Sequence, residues 1–518
     1  MRLGVDFGTT RIVVAVADRG NYPVVTFEAP DGTTWDWFPP LAAAHEGRRL
    51  FGWEAWAVQG ESQATVLRSL KRSLQEAGPC SVLDVGGVEA PLLEWLVALA
   101  AALRRDLLEK SSLRPREGEP LEVMLGVPAN ANSNQRFLTS ESFRLAGFDV
   151  LGLLNEPSAA SIEFGHKQRE AGAAGEQLLV YDLGGGTFDA SLVQVSERTH
   201  SVVASEGAST LGGDDFDEAL AELALDPGRY DTLSQAEHFR LLEECREKKE
   251  AIHPNTRRIV VDLERVRDGW GQVTVPVADY YERCRPLVDE TVRVVGDLLA
   301  RAGGVLDALY VTGGGSELPL VARVLRDEYG RRVKRSAHTR SATAIGLAIQ
   351  ADTQSGYLLR EQFTRNFGVW RETDAGRAVV FDPLFAKGTP LPAAGEPPLE
   401  RARTYSPVHN VGHFRYLECS QRSDDGQPVG DITSWDEVRF PFDPSLEREA
   451  RLELVGVERT AAAAGQEIEE RYRCDSSGTV TVTIANRTAG YSRSYRLGRW
   501  AGEDTRVAPA RKKRIRKN

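Results

Sequence analysis

Three short stretches combine glycine with a hydroxyl or a carboxylate in a way that suits phosphate chemistry: Asp6-Phe7-Gly8-Thr9-Thr10, Asp182-Leu183-Gly184-Gly185-Gly186-Thr187 and Thr312-Gly313-Gly314-Gly315-Ser316. Glycine has no Cβ, so successive backbone N–H groups can turn toward an anion at close range and form the concave nests that bind phosphate. A lone glycine turn is usually only a tight turn. Three of them, each after an apolar run and two with an aspartate at the end of that run and a threonine in the turn, point to a polyphosphate ligand. Aspartates beside phosphate would repel it, so Asp6, Asp182 and Asp189 imply an intervening cation. Mg2+ fits, because it prefers oxygen ligands and is commonly held by few carboxylates plus phosphate oxygens and water. No G-x-x-x-x-G-K-[ST] is present, so the phosphate is not held by a Walker loop. No G-x-G-x-x-G opens a helix in the first strand-helix unit, which removes the simplest dinucleotide reading.

The turns need rigid elements behind them. Residues 1–352 alternate β-type runs (LGVDFG, RIVVAVAD, VVTFEA, LEVMLGVP) with helical ones such as PLLEWLVALAAALRRDLLEK, which predicts an α/β domain. QLLVYDLGGGTFDASLVQV repeats the strand, glycine turn and strand of LGVDFGTTRIVVAVAD, so two similar halves around a shared site are predicted. RPLVDETVRVVGDLLARAG and SATAIGLAIQAD have helical spacing, and ALYVTGGG reads as a strand entering a turn. Beyond residue 353 the texture changes to strand-like pieces (FGVW, AVVFD, HFRYLEC, VRFPFD, ARLELVGVE, TVTVTIAN, YSRSYRLG) cut by Gly, Pro and Asp. The predicted order is an α/β domain at 1–352, a linker at 353–362 carrying Tyr357, Leu358 and Leu359, an antiparallel β domain at 363–500 and a basic disordered tail at 501–518.

Composition bounds the rest. With 41% hydrophobic and 27% charged residues the 518-residue chain reads as a globular, multi-domain protein. No run approaches the roughly 20 apolar residues of a membrane span, and Asp6 and Arg11 interrupt the apolar start, so a cytoplasmic protein without a signal peptide is expected. Cys80, Cys245, Cys284, Cys419 and Cys474 lack zinc or disulfide spacing and are expected as free thiols. The net charge of -11 includes a tail with seven basic side chains and no acidic one in its last 14 residues, leaving the body near -18 (-11 minus 7). Nucleic acid is therefore not expected as a ligand except through that tail.

The paired hairpins resemble the actin-like ATPase superfamily, in which each hairpin contacts the phosphates and the third glycine turn holds the adenosine. LGVDFGTT, LGVPANANSNQR, LLNEPSAASIEFG, YDLGGGTFDASLV, LGGDDFD, CREKKEAI, VTGGGSELP and ATAIGLAIQ occur in the order of the nucleotide domain of DnaK-type 70-kDa heat-shock chaperones, covering nearly all of residues 1–352. The resemblance implies an actin-like ATPase domain followed by a peptide-binding β-sandwich, with ATP/ADP and Mg2+ as cofactors. It places catalysis on Lys71, in TVLRSLKRSL, and on Glu156, Asp182 and Thr187. It places nucleotide contacts on Gly8, Thr9, Thr10, Arg11, Gly184, Gly185, Gly186, Thr187 and Gly213, and further along on Arg246, Lys249, Glu250, Gly313, Gly314, Gly315 and Glu317. Asp6, Asp182 and Asp189 are its implied metal residues. The implied function is an ATP-dependent chaperone with slow hydrolysis, acting on unfolded or extended polypeptide with a J-domain-type co-chaperone.

Departures from the family keep a second reading open, a non-enzymatic nucleotide-gated adaptor for one specific protein partner. Of the family's charged trio on the adenosine helix only Lys249 is kept, with Arg246 and Glu250 at the other two positions. Glu317 stands where the family has an arginine near adenine, and Arg340 where it has an acidic residue, so base preference is expected to differ. The segment between LGGDDFD and CREKKEAI is short, so a standard exchange factor is not expected to grip it. In the β domain Val369 and Phe414 are candidate walls of a peptide pocket, and no lid-like helical segment is expected after Trp500.

Overall fold

The structure is a computed structural model that describes all residues except 62, 75–76, 79–80, 117, 169–175, 197, 374–377, 393–395, 477 and 498–518. Cys80 and the basic tail thus lie outside the described residues. The described residues divide into two compact units, one of residues 1–131 and 138–359, the other of 132–137 and 360–497.

The first unit is built on two sheets. One has the order β4-β3-β1-β2, from β1 (Arg2–Phe7), β2 (Ile12–Val16), β3 (Glu122–Val127) and β4 (Asp149–Asn155). The other has the order β9-β8-β5-β6-β7-β10, from β5 (Glu176–Leu183), β6 (Phe188–Ser196), β7 (Thr199–Ala208), β8 (Ala308–Thr312), β9 (Val333–Arg335) and β10 (Leu358–Arg360). In each sheet a central strand runs parallel to one neighbour and forms a hairpin with the next: β1 is parallel to β3 and antiparallel to β2, and β5 is parallel to β8 and antiparallel to β6. The repeated sequence pattern is therefore a repeated topology. The hairpins close alike, with Phe7 opposite Ile12 and Leu183 opposite Phe188.

Central strands covered on both faces read as unbroken apolar runs. Leu178, Leu179, Val180 and Tyr181 are all fully buried, with helices packed around them. The helices that matter for the site are α1 (Glu156–Gln168), α2 (Gly213–Ala224), α3 (Gln235–Glu250) and α4 (Ala342–Ala351). Small residues let α4 approach its neighbours closely. A Cβ on Gly346 would stand 1.8 Å from the Ala159 carbonyl of α1, and one on Gly4 of β1 would stand 2.2 Å from the Ala348 amide.

The long helix Val277–Arg301 begins ahead of its sequence signal, because Pro286 sits inside it. The apolar residues of the predicted linker also have a structural role: the Leu358 N–H donates to the Arg198 carbonyl at 2.8 Å, making β10 the outer strand of the second sheet. Tyr357 is buried, its ring 5.7 Å from that of His200. His200, fully buried on β7, is held neutral by burial, which pulls its pKa down to about 4.

The second unit is a sandwich of two four-stranded antiparallel sheets. The first, β12-β11-β14-β15, contains β11 (Asn366–Thr373), β12 (Ala378–Phe385), β14 (Val411–Arg422) and β15 (Pro428–Pro441). The second, β13-β16-β17-β18, contains β13 (Leu399–Tyr405), β16 (Ile468–Cys474), β17 (Val480–Asn486) and β18 (Tyr491–Arg496). Val369 and Phe414 belong to the core between the sheets and are buried there, so the candidate pocket walls are core residues. The predicted strand ARLELVGVE is instead a 3-10 turn at Leu452–Leu454. One end of the inter-sheet space is ionic: Arg371 meets both oxygens of fully buried Glu470 at 2.9 and 2.7 Å and Asp382 at 2.6 Å, and Arg403 reaches Asp382 at 2.8 Å.

Cys245, Cys284, Cys419 and Cys474 are buried and free, as expected. Among the described residues no helix is long and apolar enough to cross a membrane.

Candidate functional site, a cleft between paired hairpins

The two glycine hairpins meet. A Cβ on Gly185 would lie 2.6 Å from the Thr10 side chain and 2.8 Å from the Thr9 hydroxyl, so only glycine lets the second turn abut the first. The N-terminus of α2 seats on the same turn: Gly213 N–H donates to the Gly184 carbonyl at 2.9 Å and Asp214 N–H to the Gly185 carbonyl at 2.7 Å. The third turn closes behind them through Gly313, at φ +82°, where a Cβ would meet the Leu183 carbonyl at 2.3 Å. A cleft open to solvent lies at this junction.

From the first hairpin Asp6, Gly8, Thr9, Thr10 and Arg11 line the cleft, and from the second Asp182, Gly184, Gly185 and Thr187. Lys71 enters on a 3-10 turn, Lys71–Leu74, that follows the short strand Thr65–Leu67. Glu156 opens α1, and Gly213, Arg246, Lys249 and Glu250 come from α2 and α3. Gly313, Gly314 and Gly315 complete the wall.

Three expected residues stand apart from the lining. Asp189 shares a sheet face with Asp182 across the hairpin but is outside the lining, where its carboxylate accepts the Ala129 N–H at 3.1 Å. Gly186 packs against Arg72 and Thr9. Glu317 acts at one remove, through Arg340. The sequence reading also missed Val13, Asp214, Asp217, Thr339 and Thr343, all in the lining. Asp214 and Asp217 lie within LGGDDFD, which carried a signal, but their polar partners Arg72 and Lys249 are far away in sequence.

Electrostatics separates two ends. At one end Lys71 Nζ lies 2.5 Å from Glu156 Oε1, both side chains being buried. Burial pulls the Lys71 ammonium down, but Glu156 and Asp6 outweigh it, so its pKa is raised and the ammonium is secure. Burial, and then the charge of Glu156, pushes Asp6 up to about 7 against the pull of Lys71. Asp182 is driven well above the usual carboxylate range by burial and then by Glu156, Asp6 and Asp189. Buried carboxylates shifted this way lack positive charge, and a divalent cation with phosphate oxygens supplies what Asp6 and Asp182 need. The donor set fits Mg2+, since both residues offer oxygen ligands in the cleft. At the other end Glu250 is drawn to about 2: burial opposes this, but Arg11 and Arg340 outweigh it.

Comparison with known proteins agrees with this geometry. The family model for Hsp70 protein matches residues 117–364. The chain is 27% identical to a "Chaperone protein HscA homolog" of Laribacter hongkongensis over 528 residues, covering 96% of this chain and 78% of the relative. It is 28% identical to the homolog of Vibrio campbellii, covering 94% and 76%, and 28% identical to "Chaperone protein HscA" of Klebsiella pneumoniae, covering 95% and 77%. The actin-like fold, the β-sandwich and the order of motifs agree with these matches: residues 117–364 fit the Hsp70 family model, and most of the chain is similar to HscA chaperones.

Proposed function

We propose that the cleft binds ATP with Mg2+ and hydrolyses it slowly, and that the nucleotide state sets the affinity of the β-sandwich for extended polypeptide. The observation that carries this reading is the abutment of the two glycine hairpins with the Lys71–Glu156 pair lining the cleft beside them. Backbone amides of the turns would hold the phosphates. Asp6 and Asp182 would hold Mg2+, which supplies charge neutralisation on the phosphate oxygens when bound. In hydrolysis a water oxygen bonds to the γ-phosphorus, the bond from that phosphorus to the β,γ-bridging oxygen breaks, the water's proton passes to an oxygen of the released phosphate, and ADP and phosphate leave. Lys71 stabilises charge on the equatorial oxygens, Glu156 keeps Lys71 aimed, and Thr187 with Asp182 orients the water. Such catalysis is positioning and electrostatics, so turnover is slow.

Leu358 on the sheet edge supports a coupling route, because an outer strand can dock in one nucleotide state and leave in another. A J-domain-type co-chaperone belongs to this reading. The buried positions of Val369 and Phe414 favour the second reading, an adaptor whose sandwich recognises one folded partner. Fluorescence anisotropy of an extended apolar peptide with saturating ATP or ADP decides between them. The chaperone reading expects affinities differing by about 10-fold or more, a coupling of about 1.4 kcal/mol. Equal affinities would exclude it and leave the adaptor.

A further inference from the structure

Beyond the phosphates the cleft carries an unusual concentration of charge, and its centre is Arg340. This guanidinium is gripped along its edges: Nε donates to Glu317 Oε2 at 2.8 Å, Nη2 lies 2.5 Å from the same oxygen, and Nη1 donates to Glu250 Oε2 at 3.0 Å. The two carboxylates are held in turn, Glu250 by Arg11 at 2.6 Å and Glu317 by the Thr339 hydroxyl at 2.6 Å. Arg246 is engaged by Glu243, and Lys249 donates to the Gly213 carbonyl at 2.7 Å while pairing with Asp217 at 2.6 Å. Each charged side chain at this end is therefore already occupied by another group. Besides one further N–H on each Nη, the Arg340 plane has its faces to offer a ligand. Its stem lies over the third glycine turn, 3.8 Å from where a Gly314 Cβ would stand.

We infer that Arg340 is the platform on which a nucleobase stacks, and that the cleft takes purine nucleoside triphosphates with little discrimination between adenine and guanine. This rests on the reading of the cleft as a nucleotide site. A guanidinium plane clamped by carboxylates stacks on an aromatic ring, and its attraction to the ring face does not depend on which groups line the ring edge. Strong discrimination, about 10^4- to 10^5-fold, comes from buried groups that hydrogen-bond one substrate and are stranded by another. Glu250 and Glu317 are the carboxylates nearest the Arg340 plane, and both side chains are about a third exposed, so neither is a buried group that the wrong base edge would strand.

Isothermal calorimetry on the full chain with Mg2+, using ATP, GTP and inorganic tripolyphosphate, tests the proposal. For the wild type the dissociation constants of ATP and GTP are expected within about 10-fold of each other. Arg340→Ala should weaken both by a common factor of about 10 or more and leave tripolyphosphate binding unchanged. Arg340→Lys, which keeps the charge without the plane, should behave as the alanine variant does. A preference for ATP over GTP of about 10^3-fold or more would overturn the inference, as would an Arg340→Ala protein with undiminished affinity for either nucleotide. So would equal weakening of tripolyphosphate, which would mean that Arg340 acts through the fold. In those cases the nucleotide site itself stands; only failure of ATP, GTP and tripolyphosphate alike to bind takes both readings down.

Discussion

Lys71→Ala is expected to lower the single-turnover rate of ATP hydrolysis by about 100- to 1,000-fold while ATP still binds. The side chain is buried, and at the phosphate end its ammonium is the positive charge set among Asp6, Glu156 and Asp182. Hydrolysis builds negative charge on the transferring group, and a fixed ammonium in a site poor in water stabilises that charge far more than solvent would. The loss therefore appears in the chemical step, whereas binding draws on two hairpins and the nucleoside end as well. Glu156 would also lose the partner 2.5 Å away that fixes its carboxylate. Rapid-quench assays with enzyme in excess over ATP measure the effect. A rate within a few-fold of the wild type would remove Lys71 from the mechanism.

Gly346→Ala is expected to cost about 3 kcal/mol or more of stability, the upper end of what overpacking does. The added Cβ would stand 1.8 Å from the Ala159 carbonyl, which is backbone and cannot rotate away. α4 also packs on β1, where Gly4 makes a similarly close approach to Ala348, so a shift of the helix away from α1 presses it onto the sheet beneath the first hairpin. Helix propensity and the stiffer unfolded chain each favour alanine, but by only about 1 kcal/mol or less. The clash outweighs both. Gly296→Ala, in the helix Val277–Arg301 with nothing within 4 Å of its added Cβ, isolates those smaller terms and should stabilise by about 0.5–1 kcal/mol. Urea unfolding of the two variants checks the contrast; a Gly346→Ala protein as stable as Gly296→Ala would refute the packing argument.

Glycine made the site legible. Gly185 stands where the Thr9 and Thr10 side chains crowd, and Gly313 where backbone crowds and φ is positive, so the sequence announces them, and apolar runs such as LLVY mark strands buried on both faces. Side chains that enter the cleft because of a distant partner were not legible in the same way. Asp217 is tied to Arg68 and Lys249, and Asp214 to Arg72. No local spacing records such pairs. The same holds for the sandwich: β16 was missed because its inward positions are Ile468, Glu470, Tyr472 and Cys474, and a glutamate facing inward breaks the apolar alternation until Arg371 is seen across from it. ARLELVGVE misled in the opposite direction, its apolar residues including Leu454, which is 71% exposed. Pro286 hid the first part of a helix by offering a stop signal that packing overrides.

The claim on which the rest depends is that the hairpins clasp a nucleoside triphosphate through an ion shared with Asp6 and Asp182. Calorimetric titration of the full chain with ATP, once with Mg2+ and once with EDTA, tests it most directly. Saturable one-site binding with Mg2+ is expected, weakened by about 100-fold or more on chelation, because the bare carboxylates then face the phosphates. No heat from ATP with Mg2+, or binding indifferent to the chelator, would contradict it.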